Sequence, residues 1–107
     1  AGYSVVRDFS GHGIGPVFHM PPHVVHYYER SNFSVIKEGM TFTIEPMINI
    51  GEFYADMLED GWTALTLDRS LSAQFEHTIY VGKKRAEILT MGEPFYQKQL
   101  SQFEGTV

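Results

Sequence analysis

Two stretches, "GMTFTIEPMI" (residues 39–48) and "SAQFEHTIYV" (residues 72–81), alternate apolar and polar side chains with a period of two. In the first, Met40, Phe42 and Ile44 share one face, and Thr41, Thr43 and Glu45 share the other. In the second, Phe75, His77, Ile79 and Val81 oppose Gln74, Glu76, Thr78 and Tyr80. Successive Cβ atoms of a strand point to opposite faces, so this pattern commits both stretches to half-buried β-strands. Each strand also aims one carboxylate from a polar face whose other members are neutral hydrogen-bonding groups, unlike the mixed charges of a solvated sheet.

Other strand-like segments are Tyr3–Phe9, Ile14–Met20, Trp62–Leu67 and Ala86–Thr90, and the two alternating stretches themselves read as Met40–Ile48 and Ala73–Val81. Turn-rich "SGHG", "MPPH", "KEGM", "LEDGW", "TLDRS" and "GKKR" separate them. Two longer connections, Tyr27–Gly39 and Asn49–Gly61, are expected to cross the surface, where substrate contacts are often carried. Tyr96, Leu100 and Phe103 stand at i, i+4 and i+7, which predicts one short packing helix ending near Gly105. The expected class is α/β (α+β), rich in antiparallel sheet. Phe42, Ile44, Phe75 and Ile79 then need a covering layer of helices. The short tail is too little for that, so the cover is expected from chain upstream of Ala1.

The 107 residues make one domain or a piece of one. Thirteen acidic against eight basic side chains give a net charge of -5, which argues against a broad phosphate-binding surface and hence against nucleic acid as a partner. The "GKKR" turn is a solvated hairpin on this reading. No cysteine is present, so disulfides and thiolate metal sites are excluded, and any metal must be held by His, Asp and Glu. No apolar run approaches the ~20 residues of a membrane-spanning helix, and no membrane partner is expected.

Four of the five histidines, His12, His19, His23 and His26, fall within fifteen residues in "GHGIGPVFHMPPHVVHYY". The glycines at 11, 13 and 15 permit close approach by another strand or a ligand. Pro21 and Pro22 stiffen the exit from His19. His19, Glu45 and Glu76 form the sharpest constellation. One nitrogen with carboxylates suits Mn, Fe, Co, Zn or Ni better than the all-oxygen shells of Ca or Mg. A carboxylate can also bridge two ions roughly 3.5–4 Å apart. Thr41, Thr43, Gln74 and Thr78 on the same faces are the kind of neighbours that orient ligands.

"GHGIGPVFHMPPHVVHY", "GMTFTIEPMI", "DGWTALTLD" and "SAQFEHTIYVGKKRAEILT" resemble, in order, successive signature blocks of type I methionine aminopeptidases, from about Tyr3 to Thr90. The resemblance implies a pita-bread α/β fold, of which residues 1–107 would be the C-terminal portion of a single catalytic domain whose N-terminal half is absent. It implies two divalent ions held by two Asp, one His and two Glu, and removal of the initiator methionine when the next residue is small. By match, His19 corresponds to the imidazole ligand, Glu45 to a ligand of the same ion and general base, and Glu76 to the bridging carboxylate. His26 corresponds to the histidine that hydrogen-bonds the substrate carbonyl or tetrahedral intermediate. Trp62, with Val25, corresponds to the wall of the methionine pocket. The implied substrate is a nascent polypeptide or peptide N-terminus, with ribosome association and a cytoplasmic location as further expectations.

The chain departs from the family at Ser10, where many relatives carry Cys, and at "VGKKR". The heavier departure is that no two of Asp8, Asp56, Asp60 and Asp68 have the ten-residue spacing of the family's aspartate ligands. Residues 1–107 alone are therefore expected to be inactive. A proline-specific pita-bread metallopeptidase and a non-catalytic pita-bread binding module are the alternatives. The wording of "FHMPP" and "SAQFEHT" and the retained ligands favour the methionine enzyme.

Overall fold

A computed structural model describes residues 1–92. The expected tail helix over Tyr96–Phe103 lies outside the described residues. Within them the chain forms ten short strands and no helix. These are β1 (Ser4–Val5), β2 (Gly11–Gly13), β3 (Met20–Val24), β4 (Thr41–Ile44) and β5 (Met47–Asn49), then β6 (Ala55–Met57), β7 (Ala64–Thr66), β8 (Ser72–Gln74), β9 (His77–Val81) and β10 (Ala86–Ile88).

A five-stranded sheet runs in the order β10-β9-β4-β2-β3, a three-stranded sheet in the order β1-β5-β8, and β6 pairs with β7 in a separate hairpin. Every pairing is antiparallel. Met40–Ile48 and Ala73–Val81, each expected as one strand, are each two. β4 and β5 part at Glu45-Pro46, where proline cannot donate a ladder hydrogen bond, and β8 and β9 part at Phe75-Glu76. Both halves keep partners in common, β4 with β9 and β5 with β8, so the pair forms one bent ribbon shared between two sheets.

Three strands escaped the sequence pattern. Gly11–Gly13 was hidden by the low strand propensity of glycine. Its glycines are required by packing, because a Cβ at Gly11 would meet the Thr43 carbonyl oxygen and one at Gly13 the Pro21 carbonyl oxygen. Met20–Val24 was hidden by Pro21 and Pro22, which are tolerated because β3 is an edge strand. Ala55–Met57 lay inside a stretch expected as a connection. Conversely, Ile14–Met20, expected as a strand, is the loop joining β2 to β3 up to its last residue, and His19 sits on that loop.

The core within the described residues is small. Val6, Phe42 and Ile79 are its buried apolar side chains, and Phe42 pairs directly with Ile79 across β4 and β9. Around them Phe18, Tyr28, Phe33, Val35, Ile36 and Phe75 are each more than 60% exposed. Apolar surface on this scale marks faces that pack against further protein. Of the four side chains expected to need a covering layer, Ile44 and Phe75 are exposed, whereas Phe42 and Ile79 are already buried among the described residues. Arg7, between β1 and β2, stacks its guanidinium on Tyr27 and Phe53, 5.3 and 4.2 Å from the ring centroids, and so joins the two long connections.

Candidate metal centre

The bend in the ribbon positions the carboxylates. Ile44 pairs with His77 on one side of the bend and Met47 with Gln74 on the other, with two residues of each strand between. That register sets Glu45 opposite Glu76. Like charges in directly opposed cross-strand positions are unfavourable unless something positive lies between them. Burial first, and the Glu45 charge second, raise the Glu76 carboxyl above the ordinary glutamate value, with His12 partly offsetting both.

One oxygen from each glutamate and one ring nitrogen of His12 lie within 4.8 Å of one another. His12 Nε2 stands 3.6 Å from Glu45 Oε1, and the two side chains are only 14% and 16% exposed. Thr43, buried between them, accepts the His12 backbone N–H at 2.9 Å and donates its hydroxyl to Glu45 Oε1 at 3.0 Å. Thr43 and Glu45 are two residues apart on one strand face, so the alternation that betrays the strand also delivers the orienting hydroxyl. A nitrogen and two carboxylates match the donor chemistry of a divalent transition ion, and the mutual repulsion of Glu45 and Glu76 gives a cation at this point an electrostatic reason to bind.

The residues picked out by sequence are placed unequally. Glu45 and Glu76 come together. His26 joins them by accepting the Glu45 backbone N–H on Nε2 at 3.1 Å, and its half-buried ring is held below the usual histidine pKa by that burial. His19 is exposed, and its ring stands edge-on to His12 with centroids 4.3 Å apart, while Phe18 packs against both rings. His12 is the imidazole whose nitrogen falls within 4.8 Å of both glutamates, and His19, beside it, is near enough for its charge to act on Glu76 as well. Val25 lines a cavity of about 680 Å³ with Val24, Tyr28, Val35, Met40 and Phe42, on the apolar side of the five-stranded sheet. Glu76 instead borders a smaller hollow of about 370 Å³ with Phe75, His77 and Thr90.

Trp62 caps the β6–β7 hairpin, 88% exposed, and lines neither cavity. The turn beneath it is built by Asp60, which accepts the backbone N–H groups of Trp62 and Thr63 and the Thr63 hydroxyl. Those hydrogen bonds, from Thr63 above all, lower the Asp60 pKa. Sequence reasoning gave His12 no role beyond the histidine-rich stretch. Its signal was present, since Gly11 and Gly13 on either side bring β2 close against β4 and β3 respectively.

A bent antiparallel ribbon with opposed glutamates and a histidine-bearing neighbour strand makes a carboxylate–imidazole group able to hold a metal ion on a strand-rich scaffold. The family model for metallopeptidase family M24 matches residues 1–83, and the chain belongs to that family. Its strands are a portion of the pita-bread fold. Methionine aminopeptidase A of Synechocystis is 56% identical over 92 residues, covering 86% of this chain and 36% of the relative. Methionine aminopeptidase of Escherichia coli K12 is 57% identical over 90 residues, covering 84% of this chain and 34% of the relative. Among solved structures, the methionine aminopeptidase of Rickettsia prowazekii aligns with a TM-score of 0.79 at 54% identity over 84% of this chain and 37% of its own. That of Thermotoga maritima aligns at 0.79 with 44% identity, over 85% of this chain and 36% of its own. The resemblance read from the four sequence blocks is borne out. The chain spans about a third of the length of the relatives it matches.

Proposed function

We propose that this chain supplies the His/Glu side of the metal centre of a methionine aminopeptidase, which hydrolyses the bond after an N-terminal methionine followed by a small residue. The observation that supports it most is the opposition of Glu45 and Glu76 across the bent ribbon, with an imidazole inside 4.8 Å. Glu45 and Glu76, with an imidazole from the histidine-rich stretch, would hold the divalent ions, Mn, Fe, Co, Zn or Ni. Bound ions of this kind acidify water and polarise a carbonyl.

The chain's own residues supply the rest. Glu45, oriented by the Thr43 hydroxyl, is the group that takes and returns a proton. His26 has Nε2 occupied by the Glu45 N–H, so a neutral ring carries its proton on Nδ1. That proton is available to the oxygen on which negative charge develops, a donor worth about 3–4 kcal/mol in such sites. Burial keeps the ring neutral near pH 7, which preserves this division between accepting and donating nitrogens. Val25 and Trp62 are assigned to the methionine side chain, whose thioether suits apolar and aromatic walls. The substrate proposed is a nascent chain's N-terminus, met in the cytoplasm at or near the ribosome.

The test is a chimera in which residues 1–90 replace the matching segment of the E. coli enzyme. It should release methionine from Met-Ala-Ser and leave X-Pro peptides intact. A folded chimera that takes up metal but cleaves neither substrate would overturn the proposal, and cleavage of X-Pro alone would favour the proline-specific alternative.

A further inference from the structure

The β6–β7 hairpin, with Trp62 at its tip, pairs with no other strand among the described residues. Its own contacts close it on itself. Leu67 N–H donates to the Tyr54 carbonyl at 3.0 Å, Leu58 N–H donates to the Thr63 carbonyl at 2.8 Å, and Arg69 stands 3.6 Å from Asp56. The base is pinned by polar groups. Glu52 N–H donates to Asp68 Oδ2 at 2.8 Å, Gly51 N–H donates to Ser70 Oγ at 3.2 Å, and the Ser4 hydroxyl donates to the Gly51 carbonyl. These bonds fix where the hairpin starts and leave open the angle at which it departs.

Arg7 supplies a second point of attachment. Val6 before it is buried, with its N–H on the Met47 carbonyl at 3.0 Å, so the Arg7 backbone is firmly placed. The guanidinium lies 4.2 Å from the Phe53 ring centroid and 5.3 Å from that of Tyr27. Being planar, it stacks on aromatic faces in a way that a compact ammonium does not. Phe53 in turn packs on Tyr54, with ring centroids 4.3 Å apart, and the Tyr54 carbonyl opens the hairpin ladder. Tyr27 follows Val25 by two residues. Among the described residues, the hydrogen bonds of residues 27–37 run only to one another or to Met40. The stack on Arg7 is therefore what ties the start of that connection to the hairpin.

We propose that Arg7 is a positioning residue that sets the spacing of the methionine pocket walls, by clamping the Trp62 hairpin to the segment bearing Val25. The inference rests on assigning Val25 and Trp62 to the methionine side chain, and goes beyond it in naming what holds the two in register. Arg7 acts through the two rings it stacks on. Leverage gives the clamp its effect: at roughly 3.3 Å per residue the arm from Tyr54 to Asp60 is about 20 Å long, so a tilt of about 5° at its base moves the tip by roughly 1–2 Å. Displacements of that size change how well a bound group is oriented.

The test has two arms. In the 107-residue chain, residual dipolar couplings of backbone amides report the orientation of β6–β7 relative to the five-stranded sheet. Arg7→Met keeps an apolar stem without the cation, and should shrink the hairpin couplings while leaving those of β4 and β9 unchanged. Tyr27→Leu should do the same, and probes the clamp from its other side if one variant fails to fold. Unchanged hairpin couplings overturn the proposal, as does an equal loss in β4 and β9. In the chimera, Arg7→Met should raise KM for Met-Ala-Ser about three- to tenfold, the modest scale of exposed stacks of this kind, with kcat within about twofold. A displaced wall removes binding shared by ground and transition states, which appears in KM. Arg7→Lys should recover part of the loss. A KM within about twofold of the parent, or a loss confined to kcat, overturns the proposal. An active chimera indifferent to Arg7→Met sinks the clamp and leaves the peptidase reading standing. A parent chimera inactive on both peptides, in a chain whose hairpin couplings collapse with Arg7→Met, does the reverse.

Discussion

Replacing Glu76 by glutamine should have opposite effects with and without metal. Without an ion, the substitution removes one of two negative groups held within 4.8 Å. Two unit charges at that separation repel by about 1 kcal/mol at the dielectric of water and about 3.5 kcal/mol at an effective dielectric of 20. Glu76 is exposed as a residue and solvent screens the pair, so the lower value applies. Removal of the repulsion should raise the melting temperature by about 4–8 °C for a domain of this size. The Glu76 pKa is raised in the folded chain. Its contribution is therefore fully present below the unfolded value of 4.5 and is lost as pH rises through the folded value, leaving a cost at pH 7 that the amide avoids. With free Mn²⁺ at a hundred times its dissociation constant, the wild-type chain gains about 2.7 kcal/mol, and Glu76→Gln should lose most of that gain. Circular-dichroism melts at pH 7 in EDTA and in Mn²⁺ should thus rank the proteins in opposite orders. A Glu76→Gln variant that melts at or below wild type in EDTA would refute the repulsion, and equal stabilisation of both by Mn²⁺ would refute the ligand role.

Thr43→Val keeps shape but leaves the part-buried His12 N–H without its acceptor. It should cost about 1–3 kcal/mol and weaken metal about 10–100-fold, read by urea denaturation and calorimetry. Gly13→Ala drives a methyl into the Pro21 carbonyl, so it should separate β3 from β2 and lower stability by more than 1 kcal/mol, seen as lost amide protection at Met20 and Val24. Burial depresses His26 below the ordinary histidine value of 6.5, so folding stability tied to it is present above that value and falls as pH drops toward the folded value. His26→Gln should flatten the stability–pH curve in that window.

Legibility followed side-chain periodicity. Thr41–Ile44 and His77–Val81 were readable because apolar and polar groups alternate on a half-buried surface, and the same alternation delivered Glu45, Glu76 and Thr43 to one side. The bend was not readable, because a strand crossing between two sheets keeps its alternation through the crossing. β2 and β3 were missed because their glycines and prolines answer to backbone contact and edge position, which leave no periodic trace. The side-by-side placement of His12 and His19 was not legible for a related reason. Spacing cannot distinguish His12 from His19 when a loop folds one ring against the other. "LEDGW" was legible as a turn, and the relation of Trp62 to the carboxylates is not a local property of "DGWT".

Because Glu45 and Glu76 face each other in the bend between two antiparallel ladders, their opposition doubles as a mark of strand alignment. Sliding one strand by a single residue would turn its carboxylate to the opposite surface and present Phe75 or His77 to Glu45 instead. A misaligned ribbon would therefore scatter the two carboxylates, and only the correctly zipped one brings them together.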